Sequence, residues 1–347
     1  MSLTEIGLYR QDIGRVLSDE FPWKRLEGKN ILVTGATGLI GSFLVDVLMS
    51  NKEANYRVWI CGRSEEGAKK RFASYWDNPC FHFFCQDLSE PFNSGISFQY
   101  IIHTAGFSFP AAFSSDPVGT LRGTIIGTDN ILRYGTAHGM ERMLYVSSGE
   151  VYGQSNGLTR LKEHDSGYVD VTTPRACYPT SKRAAENLCA CYHAQFGTDV
   201  VIIRPSHTYG PTFTKADNRA YAQFIRNAAS GQDIVLKSAG TQSRSYCHVA
   251  DCVSALLFAL FFGESGQAYN VSDDNSFISI RELVGITAAA GGVNVVCQEA
   301  DAAEKRGYST LESTRLDNTA IKKLGWKPLI PVSKGIPDTL EIVKNIL

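Results

Sequence analysis

A glycine-rich turn between a strand pattern and a helical pattern constrains this chain most. Residues 31–34 are apolar or β-branched, and residues 42–49 are mostly apolar at helical spacing. Between them the glycines follow the order Gly-x-x-Gly-x-x-Gly. A strand, a tight turn and a helix form the context that a dinucleotide-binding site requires. Gly35 would adopt backbone angles closed to other residues, Gly38 would let the main chain approach a pyrophosphate, and Gly41 would bring the helix close to the strand.

The start of the following helix would complete such a site. Its free N–H groups and the helix dipole attract phosphates. The predicted cofactor contacts in this segment are Gly35, Thr37, Gly38, Leu39, Ile40 and Gly41. The alternative is an ordinary strand-to-helix turn that binds nothing.

Length and composition bound the remaining possibilities. At 347 residues the chain is long enough for two lobes. Its 44% hydrophobic and 20% charged content is ordinary for a globular protein. No apolar run reaches the roughly eighteen residues of a membrane span. A net charge of −1 gives no electrostatic reason to expect nucleic acid or an anionic membrane as a partner.

Targeting signals and cysteine usage suggest a compartment. The sequence shows no signal peptide, so we expect a cytoplasmic protein. Nine cysteines are scattered without a trusted zinc spacing. We therefore expect reduced thiols, mostly in the core, and no metal site.

Residues 1–27 precede the glycine-rich turn as an N-terminal extension. Ile6, Tyr9, Ile13 and Val16 recur there at helical spacing. This pattern predicts an amphipathic helix packed on the main body. A partner-binding arm is the alternative.

Alternating strand and helix patterns follow the turn. Strand patterns cover residues 56–62, 81–88, 100–106 and 143–148, and a long helical pattern covers residues 116–139. Such alternation indicates an α/β fold with a Rossmann-type doubly wound parallel sheet, whose site lies at the carboxyl ends of the strands. Further cofactor contacts are expected at those ends from Arg63, Asp87, Leu88, Thr104, Ala105 and Gly106.

The end of the second strand lacks the carboxylate that would hydrogen-bond the adenosine ribose hydroxyls. Residues 61–64 read Cys-Gly-Arg-Ser instead. Without a carboxylate, nothing there repels a 2′-phosphate, and Arg63 could pair with one. The expected cofactor is therefore NAD or NADP, with NADP slightly favoured. The alternative is that Arg63 is a solvated loop residue.

A serine, a tyrosine and a lysine suggest proton transfer beside a nicotinamide. Ser148 ends the fifth strand pattern, and Tyr178 and Lys182 lie four residues apart on a predicted helix, so that both face the same way. The ammonium favours the phenolate and is expected to bring the tyrosine pKa from about 10 towards neutrality. Such a tyrosine exchanges a proton with a substrate hydroxyl, while Ser148 hydrogen-bonds the same oxygen. A Tyr-x-x-x-Lys pair alone is usually only surface, but its place after the glycine-rich turn favours chemistry.

Several ordered motifs resemble the extended short-chain dehydrogenase/reductases, and more narrowly the nucleotide-sugar epimerases and dehydratases. The motifs are the glycine-rich turn, Ser148, Tyr178-x-x-x-Lys182, and residues 204–211 and 244–249. The resemblance extends from about residue 28 to residue 345. It implies that Ser148, Tyr178 and Lys182 are catalytic and that Lys182 also holds the nicotinamide ribose.

The residues after the serine separate the subfamilies within this resemblance. Simple 4-epimerases resemble Ser-Ala-Thr there, whereas dehydratases and uronate decarboxylases carry Thr-Asp-Glu or Thr-Ser-Glu. This chain has Ser148, Gly149 and Glu150. The resemblance implies that Glu150 is a fourth catalytic residue, the base of the 4,6-dehydratases. Gly149 lacks the acid with which glucose-type dehydratases protonate the leaving hydroxyl.

The resemblance also implies which residues bind the substrate diphosphate. Arg244 matches a family arginine that pairs with the diphosphate, a contact that suits a guanidinium. His207 replaces an asparagine that contacts the sugar diphosphate, and a charge near neutral pH would add affinity. A packed loop histidine is the alternative. Arg219 is expected to be a second anion contact or a surface residue.

These expectations define a two-lobed enzyme that acts on a nucleotide-diphosphate sugar through a 4-keto intermediate. Epimerisation, dehydration and uronate decarboxylation stay open, as do an NADPH-dependent 4-keto-sugar reductase and a non-enzymatic dinucleotide sensor or scaffold. After the extension, the dinucleotide-binding domain is expected at residues 28–205, with residues 246–262 returning to it. The smaller substrate lobe is expected at residues 206–245 and 263–347. We expect a homodimer.

Overall fold

A seven-stranded sheet lies at the centre of the protein. The structure is a computed structural model that describes residues 2–53, 55–106, 108–155, 157–299 and 315–347. The strands, in chain order, are β1 (Asn30–Thr34), β2 (Arg57–Gly62), β3 (Phe81–Cys85), β4 (Tyr100–His103), β5 (Arg142–Val146), β6 (Arg160–Leu161), β7 (Val200–Pro205), β8 (His207–Tyr209), β9 (Ile234–Leu236), β10 (Ser243–His248), β11 (Ala268–Val271), β12 (Phe277–Ser279), β13 (Val295–Cys297) and β14 (Arg315–Leu316).

Helices connect these strands and cover both faces of the central sheet. They are α1 (Gly7–Leu17), α2 (Leu39–Ser50), α3 (Glu65–Arg71), α4 (Pro110–Ser115), α5 (Pro117–Ala137), α6 (Cys177–Phe196), α7 (Ala220–Ala229), α8 (Val249–Phe262), α9 (Ile280–Gly291), α10 (Thr319–Lys323) and α11 (Val332–Lys344).

The central sheet has the strand order β11-β7-β5-β4-β1-β2-β3, and all neighbouring pairs are parallel. The chain moves outward from β1 to β3 and then returns to build the other half from β4. The order therefore reverses between β1 and β4, and ligands of doubly wound sheets bind at such a switch point. This topology confirms the predicted Rossmann-type α/β fold.

Burial on both faces explains the apolar strands. Ile31, Leu32 and Val33 of β1 are completely buried, as parallel strands between two helical layers must be. The apolar helix α8 is buried over almost its whole length and packs on the same sheet. Among the described residues, no helix is both long and apolar enough to cross a bilayer.

The predicted smaller lobe differs from the structure at one boundary. We predicted residues 263–347 in that lobe, but β11 pairs in parallel with β7 and forms the edge of the central sheet. The reason is that α8 acts as a crossover helix, after which the chain re-enters the sheet beside the strand it left. Residues 300–314 of the predicted lobe lie outside the described residues. The remaining division into lobes stays a prediction.

The N-terminal extension packs on the main body through α1. Tyr9, Ile13 and Val16 are buried, and α1 contacts α2 and α8. The Tyr9 hydroxyl donates to Asp46 Oδ2 of α2 at 2.5 Å, and Arg71 of α3 pairs with the same carboxylate. The Asp46 side chain is fully buried, so it depends on both partners to compensate for lost hydration.

Tyr9→Phe is expected to lower the free energy of unfolding by about 1.5–3 kcal/mol, because a buried carboxylate loses a donor. Denaturant titration followed by circular dichroism measures this loss. Tyr56→Phe is a matched control, because its buried hydroxyl donates at 2.7 Å to a neutral carbonyl, that of Leu48. A smaller loss for Tyr9→Phe than for Tyr56→Phe would contradict the role of the carboxylate.

Candidate active site

The glycine-rich turn packs directly on the segment that follows β4. Gly35 has φ +66°, and a Cβ there would lie 2.6 Å from the Ala105 nitrogen. A Cβ on Gly41 would lie 2.4 Å from the Gly35 oxygen and 2.8 Å from Thr104 Oγ1. All three distances are shorter than non-bonded heavy atoms adopt, so only glycine at these positions allows the two segments to approach so closely.

The start of α2 fits the pyrophosphate of a dinucleotide. Gly38 is its N-cap and makes no side-chain capping bond. The first N–H groups of the helix therefore lack the capping acceptor that other side chains supply, and they attract an anion together with the helix dipole. The turn and the helix start line a large cleft, so the residues present suit the cofactor that the sequence predicts.

One cleft of about 1140 Å³ collects the site residues that the sequence predicts. The residues predicted to contact the cofactor line one part of it, which we call the cofactor end: Gly35, Thr37, Gly38, Leu39, Ile40, Gly41, Arg63, Asp87, Leu88, Thr104, Ala105 and Gly106. The predicted catalytic residues and substrate contacts line the other part, which we call the substrate end: Ser148, Glu150, Tyr178, Lys182, His207, Arg219 and Arg244. The cleft lies at the carboxyl ends of the parallel strands, where a doubly wound sheet binds ligands.

The cofactor end of the cleft carries opposite charges on neighbouring loops. Arg63 follows β2, and Asp87 follows β3. The Asp87 carboxylate accepts hydrogen bonds from the Ser89 nitrogen at 2.9 Å and from its hydroxyl at 2.7 Å. These bonds, opposed by partial burial and supported by Arg63, lower the pKa of Asp87. The loop after β3 is thereby held in place with an ionised carboxylate beside Arg63.

Helix α6 places the tyrosine and the lysine one turn apart. Tyr178 stacks on Phe113 of α4, with ring centroids 4.6 Å apart. Lys182 Nζ donates to the Val146 carbonyl at 2.8 Å. A Cβ built on Gly106 would lie 3.8 Å from the same lysine nitrogen. The serine, tyrosine and lysine therefore meet where β4 and β5 end.

Burial dominates the charge states of this pair. It raises the pKa of Tyr178 to about 12, although a hydrogen bond with Ser148 and the guanidiniums of Arg219 and Arg175 lower it. It also lowers the pKa of Lys182 to about 8. The expected tyrosine pKa near neutrality is therefore not found in the protein without ligands, because desolvation of the phenolate outweighs the nearby cations.

Glu150 has a cationic partner that the sequence does not reveal. Both of its carboxylate oxygens accept from Arg175 Nη2, at 3.0 and 2.9 Å. The Arg175 guanidinium also lies 4.9 Å from the centroid of the Phe113 ring. The only signal for this pair was indirect, because a carboxylate in a cleft needs a cation. Arg175 precedes Tyr178 by three residues, in the short turn Pro174–Ala176 that leads into α6.

Gly149 lies in a narrow place between the serine and the glutamate. A Cβ there would lie 3.0 Å from Leu316 Cδ1 and 3.4 Å from the Pro205 oxygen. A longer side chain at this position would require Leu316 to move. The structure therefore leaves little room for the acid that the glucose-type dehydratases carry here.

The substrate end of the cleft contains two arginines and a histidine. Arg219 is paired with Asp217 Oδ1 and Oδ2 at 3.0 and 3.1 Å. Arg244 donates to the Ser243 carbonyl and to Gln242 Oε1, both at 3.0 Å. His207 keeps exposed surface towards the cleft, but the cleft walls, Arg244 and Arg219 lower its pKa. The sequence left a charged His207 and a packed loop histidine open, and burial together with the two guanidiniums favours the neutral ring in the ligand-free protein.

The glycine-rich turn at the switch point, together with a buried tyrosine and lysine one helical turn apart, is the arrangement expected of an extended short-chain dehydrogenase/reductase. Comparison with known proteins agrees. Residues 31–272 match the family described as the NAD dependent epimerase/dehydratase family. The chain belongs to this family, which confirms the predicted enzyme class.

Named relatives and solved structures cover most of the chain. UDP-glucuronic acid decarboxylase 6 of Arabidopsis thaliana is 31% identical over 317 residues, which are 88% of this chain and 86% of the relative. UDP-glucuronic acid decarboxylase 1 of Xenopus tropicalis is 28% identical over 343 residues, which are 97% of this chain and 78% of the relative.

Solved structures show the same fold at lower identity. UDP-glucose 4-epimerase of Thermotoga maritima superposes with a TM-score of 0.79 at 22% identity, over 91% of this chain and 99% of that one. The dTDP-glucose 4,6-dehydratase of Streptomyces venezuelae, solved with NAD bound, superposes with a TM-score of 0.78 at 23% identity, over 91% of this chain and 97% of that one.

The buried Lys182 makes stability depend on pH in a stated window. Its pKa is about 8 in the folded protein and about 10.5 unfolded, so the unfolded chain binds more protons between these values. We compare the free energy of unfolding of the wild type with that of Lys182→Met. The wild-type value minus the mutant value should rise by about 3 kcal/mol between pH 8 and pH 10.5. Denaturant titrations of both proteins across this range measure the difference. A difference that does not change with pH would place the lysine pKa at its ordinary value.

Proposed function

We propose that the protein oxidises a nucleotide-diphosphate sugar at C4 with bound NAD or NADP and decarboxylates a nucleotide-linked hexuronate through the 4-keto intermediate. One observation carries this proposal. A single cleft holds the tyrosine, lysine and serine of the family beside the Glu150–Arg175 pair. The first three residues supply the oxidation step, and the pair supplies charges suited to a substrate that carries a carboxylate.

Proton transfer at C4 is assigned to Tyr178. Ser148 hydrogen-bonds the reacting oxygen and Lys182 holds the nicotinamide ribose, as the family resemblance implies. A dinucleotide held by the glycine-rich turn and Lys182 would supply the hydride acceptor for oxidation at C4 and the hydride donor for the later reduction. Because burial raises the pKa of Tyr178 to about 12, the phenolate needs more positive charge around it than the ligand-free cleft provides.

Decarboxylation then needs no external oxidant. A ketone at C4 is β to the C6 carboxylate, so the C5–C6 bond breaks, carbon dioxide leaves and the electron pair moves into the carbonyl as an enolate. A proton from solvent must reach C5, and we assign its delivery to Glu150. Tyr178 returns its proton to the C4 oxygen. The overall reaction consumes one proton and is neutral in redox terms.

Two observations support decarboxylation over loss of water. Gly149 offers no acid for a leaving hydroxyl, and its surroundings leave little room for one. The named relatives above, which cover 88% and 97% of the chain, are UDP-glucuronic acid decarboxylases. The substrate diphosphate is assigned to Arg244, with Arg219 and His207 beside it, because these residues line the far end of the same cleft.

Three finer points belong to the same proposal. We propose that Arg63 gives NADP a slight preference, because it lines the cofactor end of the cleft and no carboxylate follows β2. We also propose a homodimer, on the family resemblance, and a cytoplasmic location, on the nine cysteines, which are all free thiols.

The proposed reaction is tested with UDP-glucuronic acid, UDP-glucose and dTDP-glucose, each incubated with the protein and either NAD or NADP. We expect carbon dioxide and a nucleotide-linked pentose from UDP-glucuronic acid, detected by mass spectrometry and NMR. An unsaturated or 6-deoxy product would indicate dehydration, and a retained carboxylate with inverted C4 would indicate epimerisation. Either of these results would refute the proposed decarboxylation.

Tyr178→Phe is expected to lower turnover by about 10²–10⁴-fold, because only the ionisable oxygen is lost. Cofactor affinity, measured by calorimetry, should stay close to that of the wild type. Thr180→Ala is a control on the same helix turn, since Thr180 is outside the cleft lining. Turnover by Tyr178→Phe near the wild-type rate would remove this residue from the chemistry.

Arg63→Ala is expected to narrow the preference for NADP over NAD by about 1–3 kcal/mol, the range for hydrogen bonds to charged groups. Calorimetric titration of both cofactors into both proteins measures this preference. Arg57→Ala at the other end of β2 controls for a general loss of positive charge. Equal affinities for both cofactors that the mutation does not change would show that Arg63 contacts no 2′-phosphate.

A further inference from the structure

The Glu150–Arg175 pair differs from the other well-formed ion pairs near the cleft. All three nitrogens of the Arg204 guanidinium donate hydrogen bonds, to the Glu186 carboxylate, the Tyr152 hydroxyl and the Glu163 carbonyl. Arg219 is similarly bound by Asp217. Both guanidiniums are therefore already held by carboxylates of the protein itself.

Arg175 has donor capacity left over. A single nitrogen, Nη2, makes both contacts with Glu150, and its buried Nε has no hydrogen-bond partner among the described residues. A buried donor without a partner costs free energy, and a planar guanidinium can bind a second carboxylate in a bidentate manner. The side chains of Arg175 and Glu150 remain 18% and 19% exposed, so the pair is accessible from the cleft.

Aromatic packing holds the Arg175 guanidinium in the reaction zone. It lies over the Phe113 ring at 4.9 Å, and the same ring stacks on Tyr178 at 4.6 Å. Arg175 also acts electrostatically on Tyr178. A carboxylate bound by Arg175 would therefore lie beside the tyrosine that reacts at C4, which is where the C6 carboxylate of a hexuronate must lie.

We propose that Arg175 is the residue that selects a carboxylate-bearing sugar, by exchanging Glu150 for the substrate carboxylate. This inference rests on the proposed function. In the ligand-free protein the two side chains neutralise each other. A uronate takes over the guanidinium and satisfies Nε as well, and Glu150 is released to take up a proton from solvent. A neutral hexose has no carboxylate to offer, so the pair stays closed.

The exchange balances charge through the reaction. When carbon dioxide leaves, Arg175 loses the substrate carboxylate. When Glu150 gives its proton to C5, it becomes a carboxylate again. The two events recreate the original ion pair, so product release leaves the site ready for another uronate.

Binding is measured by calorimetry with NAD-saturated protein in a Tyr178→Phe background, which prevents turnover. The ligands are UDP-glucuronic acid and UDP-glucose, which differ only in the oxidation state of C6. Arg175→Met should weaken UDP-glucuronic acid binding by about tenfold or more, because a bond between charged groups is lost. UDP-glucose binding should hardly change, and Arg175→Lys should keep part of the preference for the uronate.

Glu150→Gln gives the sharper result. With no carboxylate to displace, the uronate should bind a few-fold more tightly than to the parent, and UDP-glucose should not. The gain should vanish in Glu150→Gln combined with Arg175→Met. Weaker or unchanged uronate binding by Glu150→Gln would overturn the exchange, because a pair that does not open gains nothing from its removal.

Arg244→Met is the matched control in the same cleft. It should weaken both ligands equally, because both carry the diphosphate. Loss of the uronate preference in Arg244→Met, but not in Arg175→Met, would overturn the assignment. If the active protein decarboxylates UDP-glucuronic acid and Arg175→Met keeps the preference, only the exchange fails. If the protein neither prefers nor decarboxylates the uronate, the proposed function fails with it.

Discussion

Direct contact between two backbone segments organises the whole site. Because Gly35 and Gly41 have no Cβ, the turn after β1 lies against residues 104–106 after β4. This contact sets where α2 begins and therefore where its N–H groups point. The same segment ends at Gly106, next to the Lys182 amine. The part of the cleft predicted to bind phosphate and the part predicted to transfer protons are thus positioned by one shared contact, which a single methyl group at either glycine would disturb.

The chemistry of the cleft costs stability. Lys182 is buried and carries a lowered pKa, and Tyr178 is desolvated enough to resist ionisation. Arg175 has a buried Nε that finds no hydrogen-bond partner in the part of the chain that the structure describes. Each feature is unfavourable in the ligand-free protein. Under the proposed function, a charged ligand in the cleft would relieve each of them. Functional sites commonly show such local conflicts with the rules that stabilise the rest of a fold.

Local patterns made most of the fold predictable. The glycine spacing, the strand patterns and the Tyr178-x-x-x-Lys182 spacing depend on neighbours in the sequence, and the structure places them in one cleft. The partner of Glu150 was not predictable in this way, because Arg175 is distant in the chain and any arginine could have served. The prediction of a near-neutral pKa for Tyr178 is wrong for a related reason. A sequence shows that a lysine is near, but it does not show how much water the fold removes.

The strand β11 shows the same limit at the level of topology. Its four residues carry no strong strand pattern, and only the position of α8 returns them to the sheet. The lowered pKa of His207 likewise depends on burial and on two arginines that are distant in the sequence but line the same cleft. Properties that arise from long-range proximity need coordinates, whereas properties that arise from spacing do not.

The packing of α1 has a practical consequence for anyone who shortens this chain. The family match begins at residue 31, so a truncated protein starting there would look complete by sequence. It would lack the hydrogen bond from Tyr9 to Asp46. It would also lack the packing of Phe21 and Trp23 on Phe261, in which the ring centroids of each pair lie 5.6 Å apart. The truncation would expose to solvent the apolar groove along α2 and α8 that α1 covers. The truncated protein would therefore aggregate during purification before any defect in catalysis could be measured. This aggregation would be the first sign that the extension belongs to the core.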